Sequence, residues 1–169
     1  KKAHSMGVKV ILMFGGPNLS TFEFLKKNKM SDAGLKTPDG QVKIQNWLDW
    51  NTDLQIETMG LIMNFGHPKY RNYMISKTVD LFETYGIDGI FLDGTLRWQN
   101  SPDYSAYEGL VQYTQEIRKR YPQKMIMGED GYDAIYGLFD LFHTSAGPLG
   151  LENYMLRYTR QFYYLAYPA

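Results

Sequence analysis

The most apolar stretches of the chain are short, and each runs into a turn or a polar residue. Val8–Phe14 is almost continuously apolar and is closed by Gly15, Gly16 and Pro17. Apolar residues at consecutive positions, not alternate ones, fit a parallel strand covered on both faces. The same reading holds for Asp88–Asp93 in "YGIDGIFLDG", for Lys124–Gly128 and for about Phe139–Thr144, with Gly60–Phe65 a shorter candidate. Between these runs helical spacing takes over. After "GHPKYRNY", where Pro68 suits a first-turn position, Met74, Thr78, Leu81 and Tyr85 make one stripe. Ile75, Val79 and Phe82 widen it, and Gly86 ends it. A second helix, starting at Ser101-Pro102 and stopped by Pro122, places Leu110, Tyr113, Thr114, Ile117 and Tyr121 on one face. A short helix is predicted over 132–138. A final one puts Leu151, Tyr154, Met155, Tyr158, Phe162 and Leu165 on a common side.

Strands alternating with helices, joined by connections too long for hairpins, imply right-handed βαβ units and a parallel sheet. Neither GxGxxG nor GxxxxGK[ST] occurs, which counts against a dinucleotide or P-loop fold. The predicted fold class is therefore α/β, a partial TIM (β/α)8 barrel. A whole barrel takes about 250 residues, so the 169 residues here are expected to form one incomplete barrel domain. Residues 18–58 lack a clear period and carry turn signals such as Pro38-Asp39-Gly40. They are read as an irregular insertion or a long βα loop, and they hold Trp47 and Trp50. The opening "KKAHSMGVKVILMF" reads as the last turn of a helix, a glycine stop and a strand. The chain is accordingly expected to be a piece of a longer polypeptide.

Composition narrows the partners. Eighteen basic residues balance eighteen acidic ones, so nothing electrostatic favours nucleic acid. No apolar run approaches the roughly 20 residues of a membrane helix. There is no cysteine, which removes disulfides and thiolate chemistry. Aromatic residues reach 15%, with fourteen tyrosines, and aromatic faces suit sugar stacking as well as core packing.

Barrel active sites form at the carboxyl ends of strands. The residues delivered there are Asp93, Glu129 or Asp130, and His143, with Asn64 at the short strand. In "DGIFLD", Asp93 shares a face with Phe91 and Gly89, while Ile90 and Leu92 face the other way. The second face suits packing on outer helices, which points Asp93 into the barrel mouth. Asp130, followed by Gly131, is the more cap-like of its pair. Two carboxyls on a common cleft are the equipment of glycoside hydrolysis, one as general acid and the other as nucleophile or base. Arg97 and Trp98 on the loop after Asp93, together with Tyr132, His143, Asn64 and Trp50, are candidate substrate-binding residues. No cofactor and no metal is expected. The rival readings are a metal-dependent barrel using Asp93, Glu129 and His143, although no HxH strand motif is present, and a non-catalytic carbohydrate-binding barrel.

The stretch "GHPKYRNYMISKTVDLFETYGIDGIFLDGTLRW" resembles the central segment of (β/α)8 glycoside hydrolases of the alpha-amylase and alpha-galactosidase-like type. It is closer still to glycosyl hydrolases found among bacterial polysaccharide-degrading proteins. The "AHSMGVKVILMF" unit resembles a helix-to-strand step of the same barrels. The resemblance covers Ala3–Phe14 and Gly66–Thr144. It implies that Asp93, in the "GxDGxxxD" pattern, is the nucleophile of a retaining glycosidase, and that Glu129, in "GE", is the acid/base. It further implies a carbohydrate substrate and a secreted or periplasmic setting. One departure stands out: alpha-amylases carry Arg two residues before the nucleophile, and here that place is Phe91.

Overall fold

The computed structural model describes residues 1–14, 22–47, 57–95, 101–129 and 131–143. In chain order the elements are α1 (Lys2–Ser5), β1 (Ile11–Phe14), α2 (Phe22–Lys27), β2 (Ile44–Trp47), β3 (Glu57–Leu61), α3 (Pro68–Tyr85) and β4 (Gly89–Leu92). There follow α4 (Ala106–Arg120), β5 (Met125–Glu129), a 3₁₀ turn over Asp133–Ile135 and β6 (Leu141–His143). Strands β1, β4, β5 and β6 lie side by side in that order as a four-stranded sheet, and every neighbouring pair is parallel. The α/β class expected from the pattern, parallel strands alternating with helices, is what the chain adopts.

Alternation along the strands divides the sheet into two faces. Ile90 and Ile126 are partners in adjacent strands and, with Leu92, are fully buried. They join one cluster with Met74 and Phe82 of α3 and with Leu110, Tyr113 and Ile117 of α4. Full burial of such a side chain contributes about 2 kcal/mol relative to exposure, so this face anchors the two helices. The opposite face carries the row Met13, Phe91, Met127 and Leu141, in register across all four strands. Phe91, Met127 and Leu141 are half-buried and Met13 is 60% exposed. Among the described residues, then, only the helix side of the sheet is completely covered.

The helices begin and end where local chemistry directs. The His67 side chain caps α3 by accepting the Tyr70 N–H on Nδ1 at 3.3 Å, and Pro68 occupies the first turn. Gly86 closes it in the left-handed region, at φ 62°. Helix α4 starts later than the sequence suggested. Ser105, not Ser101, accepts the Glu108 N–H, and residues 101–105 belong to the preceding loop. Burial on α3 follows the row Tyr70, Met74, Thr78 and Phe82. Leu81 is only half-buried, and Tyr85, the last helical residue, is 69% exposed. The α4 stripe of Leu110, Tyr113, Thr114 and Ile117 is buried as expected.

Gly60–Phe65 is not a strand of the parallel sheet, contrary to the reading of its pattern. Residues 57–61 pair antiparallel with β2, and Met63 makes an isolated antiparallel bridge to Gly34. The reason is where the backbone finds partners. The Ile62 N–H donates to the Lys43 carbonyl at 3.1 Å and the Asn64 N–H to the Ala33 carbonyl at 2.9 Å. The Leu35 N–H donates to the Ile62 carbonyl at 2.7 Å. Residues 33–43 thereby take up these groups, and β4 pairs directly with β1. The stretch expected to be irregular contains α2 and β2, and its Leu25, Met30 and Ala33 enter the main core. The predicted helix over 151–165 lies outside the described residues.

Candidate functional site at the strand ends

Each sheet strand after β1 delivers its last residues to the same edge. Glu129 ends β5, His143 ends β6, and the two are register partners. Leu92 of β4 pairs with Gly128 of β5, so Asp93, the next residue, follows Leu92 as Glu129 follows Gly128. By alternation Asp93 continues the Phe91 side of the sheet, away from α3 and α4. A ring contact confirms the shared side for the third strand end. The His143 imidazole meets the Phe91 ring edge-on, with centroids 5.9 Å apart. Glu129 and His143 thus stand side by side beyond Met127 and Leu141, and Asp93 follows Leu92 at the end of the adjacent strand.

The loop after β4 is fastened to the end of β5. Gly94 lies in the left-handed region at φ 67°, which suits a glycine and turns the chain sharply after Asp93. That turn aims its N–H at Glu129 Oε2, 2.9 Å away. Thr95, 1% exposed, donates from Oγ1 to the Glu129 carbonyl at 2.6 Å. Its N–H reaches the same carbonyl at 3.0 Å. Gly128 makes this approach possible, because a Cβ there would stand 2.7 Å from Thr95 Oγ1. The Asp-Gly pair that closes β4 is therefore both a turn and a link between the two acids.

The remaining candidates fall in different places. Asn64 is 1% exposed and does not stand at the end of a strand of the parallel sheet. Its Nδ2 donates to Ser101 Oγ at 2.7 Å and to the Tyr104 carbonyl at 3.1 Å, and its Oδ1 accepts the Gly66 N–H at 2.8 Å. The amide holds the far end of the loop that leaves Asp93. Nearby, the Lys36 ammonium pairs with the Asp103 carboxylate and ties residues 33–43 to the same loop. Tyr132 is half-buried against the core, and its carbonyl accepts the Ile135 N–H at 3.0 Å, which opens the 3₁₀ turn. Arg97, Trp98, Trp50 and Asp130 lie outside the described residues. Among the described residues, no group of three or more His, Asp or Glu side chains is arranged to hold a metal ion. No helix among them is long and apolar enough to cross a membrane.

Neither a family model nor a curated protein sequence matches the chain. Solved structures do. A noncanonic maltogenic alpha-amylase from Thermotoga neapolitana superposes with a TM-score of 0.60 at 14% identity, over 98% of this chain and 35% of that one. The glycoside hydrolase domain of PelA from Pseudomonas aeruginosa gives 0.60 at 14%, over 86% and 53%. An alpha-galactosidase from Thermus thermophilus, in complex with stachyose, gives 0.51 at 18%, over 82% and 29%. The fold is that of part of a TIM barrel, the architecture these glycoside hydrolases share. The chain spans between about a third and a half of the first two neighbours' own length. At this level of identity the likeness concerns the fold alone.

Two features of the site were not anticipated from the sequence. Thr95 is one of them, since no local pattern marks a threonine whose partner lies 34 residues ahead. The grip of the Gly94 N–H on Glu129 was equally invisible, although the Asp-Gly dipeptide signalled that the chain would turn there.

Proposed function

We propose that this chain carries the catalytic strand ends of a glycoside hydrolase acting on an oligo- or polysaccharide. Asp93 is the nucleophile or base and Glu129 the general acid. The observation that carries the reading is the 2.9 Å hydrogen bond from Gly94, the neighbour of Asp93, to the Glu129 carboxylate. It links the backbone beside one acid to the carboxylate of the other, which supports a shared site at the end of the sheet where barrel enzymes work. In the retaining version, Glu129 gives its proton to the glycosidic oxygen while an Asp93 oxygen bonds to the anomeric carbon. The leaving sugar departs as an alcohol, and water, deprotonated by Glu129, then releases the glycosyl group. His143, beside Glu129 on β6, and Arg97, Trp98, Tyr132 and Trp50 serve substrate hydroxyls and sugar faces.

The test uses the full natural polypeptide and a panel of oligosaccharides with α and β linkages. Asp93→Asn and Glu129→Gln should each lower the release of reducing ends by at least about 1,000-fold, on the order of a lost catalytic group. Their melting temperatures should stay within about 2 °C of the parent. Undiminished turnover in either variant would remove that residue from its role. Proton NMR of the first product anomer reads the stereochemistry; inversion would make Asp93 a base and not a nucleophile.

A further inference from the structure

We infer that Thr95 is a positioning residue for Glu129, and that with Gly94 and Gly128 it forms a clamp that sets the placement of the acid relative to Asp93. This rests on the proposed glycosidase reading and adds to it a residue that never touches the substrate.

The argument starts from the backbone. Glu129 is the last residue of β5, and ladder hydrogen bonds alone do not orient the side chain at a strand end. Here the carbonyl of Glu129 receives two donors from one residue, the Thr95 hydroxyl at 2.6 Å and the Thr95 N–H at 3.0 Å. The carboxylate receives a third, from the Gly94 N–H to Oε2. All three donors belong to the two residues that follow Asp93. Any displacement of the β4 end therefore moves the Glu129 end with it, and the two carboxyls keep their separation. In glycosidases that separation decides between direct attack and water-mediated attack. A shift of about 1 Å in a reacting group can cost about 100-fold in rate.

The clamp also engages the carboxyl group itself, through the Gly94 N–H on Oε2. Proton transfer to the glycosidic oxygen then leaves Glu129 as a carboxylate whose Oε2 is still held by Gly94. The same group returns as base without reorienting. Thr95 supports this indirectly, by fixing the main chain from which the side chain springs. It is buried, and the close approach of its hydroxyl depends on the absence of a Cβ at Gly128.

The experiment compares Thr95→Val and Thr95→Ser in the full natural polypeptide, beside Glu129→Gln. Valine keeps the shape and removes the hydroxyl donor; serine keeps the donor. For Thr95→Val, kcat should fall about 10- to 100-fold with KM within about 2-fold, and the limb of the pH profile that Glu129→Gln abolishes should shift. Thr95→Ser should recover activity to within about 3-fold of the parent. Unchanged kcat and pH profile in Thr95→Val, with Glu129→Gln inactive, would overturn the clamp and leave the glycosidase reading standing. So would equal losses in the valine and serine variants that track a lower melting temperature, because that pattern is packing alone. Full activity in Glu129→Gln would overturn both.

Discussion

Gly94 shows how much one residue can carry at the end of a strand. Its φ of 67° is a conformation that costs an L-residue about 1–2 kcal/mol, and its N–H is aimed at Glu129 only because the chain turns there. Gly94→Ala should therefore lower stability by about 1–2 kcal/mol, read as a drop in the urea midpoint with an unchanged slope. It should also lower turnover, because the strained alanine relieves itself by rotating the N–H away from the carboxylate. A midpoint equal to the parent's would show that the turn tolerates a side chain. Much of the local signal was legible in "FLDG": an acid after an apolar run, then a residue suited to a sharp turn. Thr95 was not, because its role is a contact with the end of another strand, which no local pattern encodes.

At the scale of elements, the opposite end of the sheet is stapled by aspartates placed just before strands. Asp88, ahead of β4, accepts the Val10 N–H on Oδ2 at 2.8 Å, with the His4 imidazole at 2.7 Å and the Lys9 ammonium at 3.1 Å around it. Asp140, ahead of β6, accepts the Ile126 N–H at 2.8 Å and an Arg118 N–H at 2.7 Å. Each staple joins a strand to its neighbour at the amino end, where residues of a barrel serve stability. The Val10 N–H first, and the His4 side chain next, hold the Asp88 carboxyl below the usual carboxylate range. A carboxyl whose folded pKa is depressed contributes stability that is present above its unfolded value, near 4, and is lost as the pH falls through the lower folded value. Stability should thus decline on acidification below about pH 4, and Asp88→Asn should flatten that decline. Urea midpoints measured between pH 5 and pH 2 check this; parallel curves for the two proteins would exclude Asp88 as a contributor. His4, in the short helix before β1, belongs to this staple although nothing in its sequence neighbourhood marks it. The helices α3 and α4 were readable because their apolar spacing and their caps agree. β3 was not, because a short apolar run does not say whether its backbone will pair with a parallel neighbour or with residues 33–43.

For the molecule as a whole, β4 and β5 are the two strands flanked on both sides within the described sheet, and they bear the fully buried Ile90, Leu92 and Ile126. Their amides should exchange with solvent more slowly than any others. Those of β2 and β3, a two-stranded sheet outside the parallel one, should exchange faster, since each has a single neighbouring strand in its described sheet. Hydrogen exchange followed by mass spectrometry or NMR measures the order directly, and equal protection of the hairpin and the central strands would contradict it. The sequence by itself determined the alternation of strands and helices, the parallel sheet and the acids at strand ends. Those features follow from the periodicity of apolar residues and from turn chemistry, both of which act over a few neighbours. Only the tertiary structure decided that β1 pairs directly with β4, that Asn64 braces a loop, and that Thr95 and Gly94 clamp Glu129. Each of these depends on which distant backbone group satisfies a given N–H or carbonyl, and that choice is made by packing between elements.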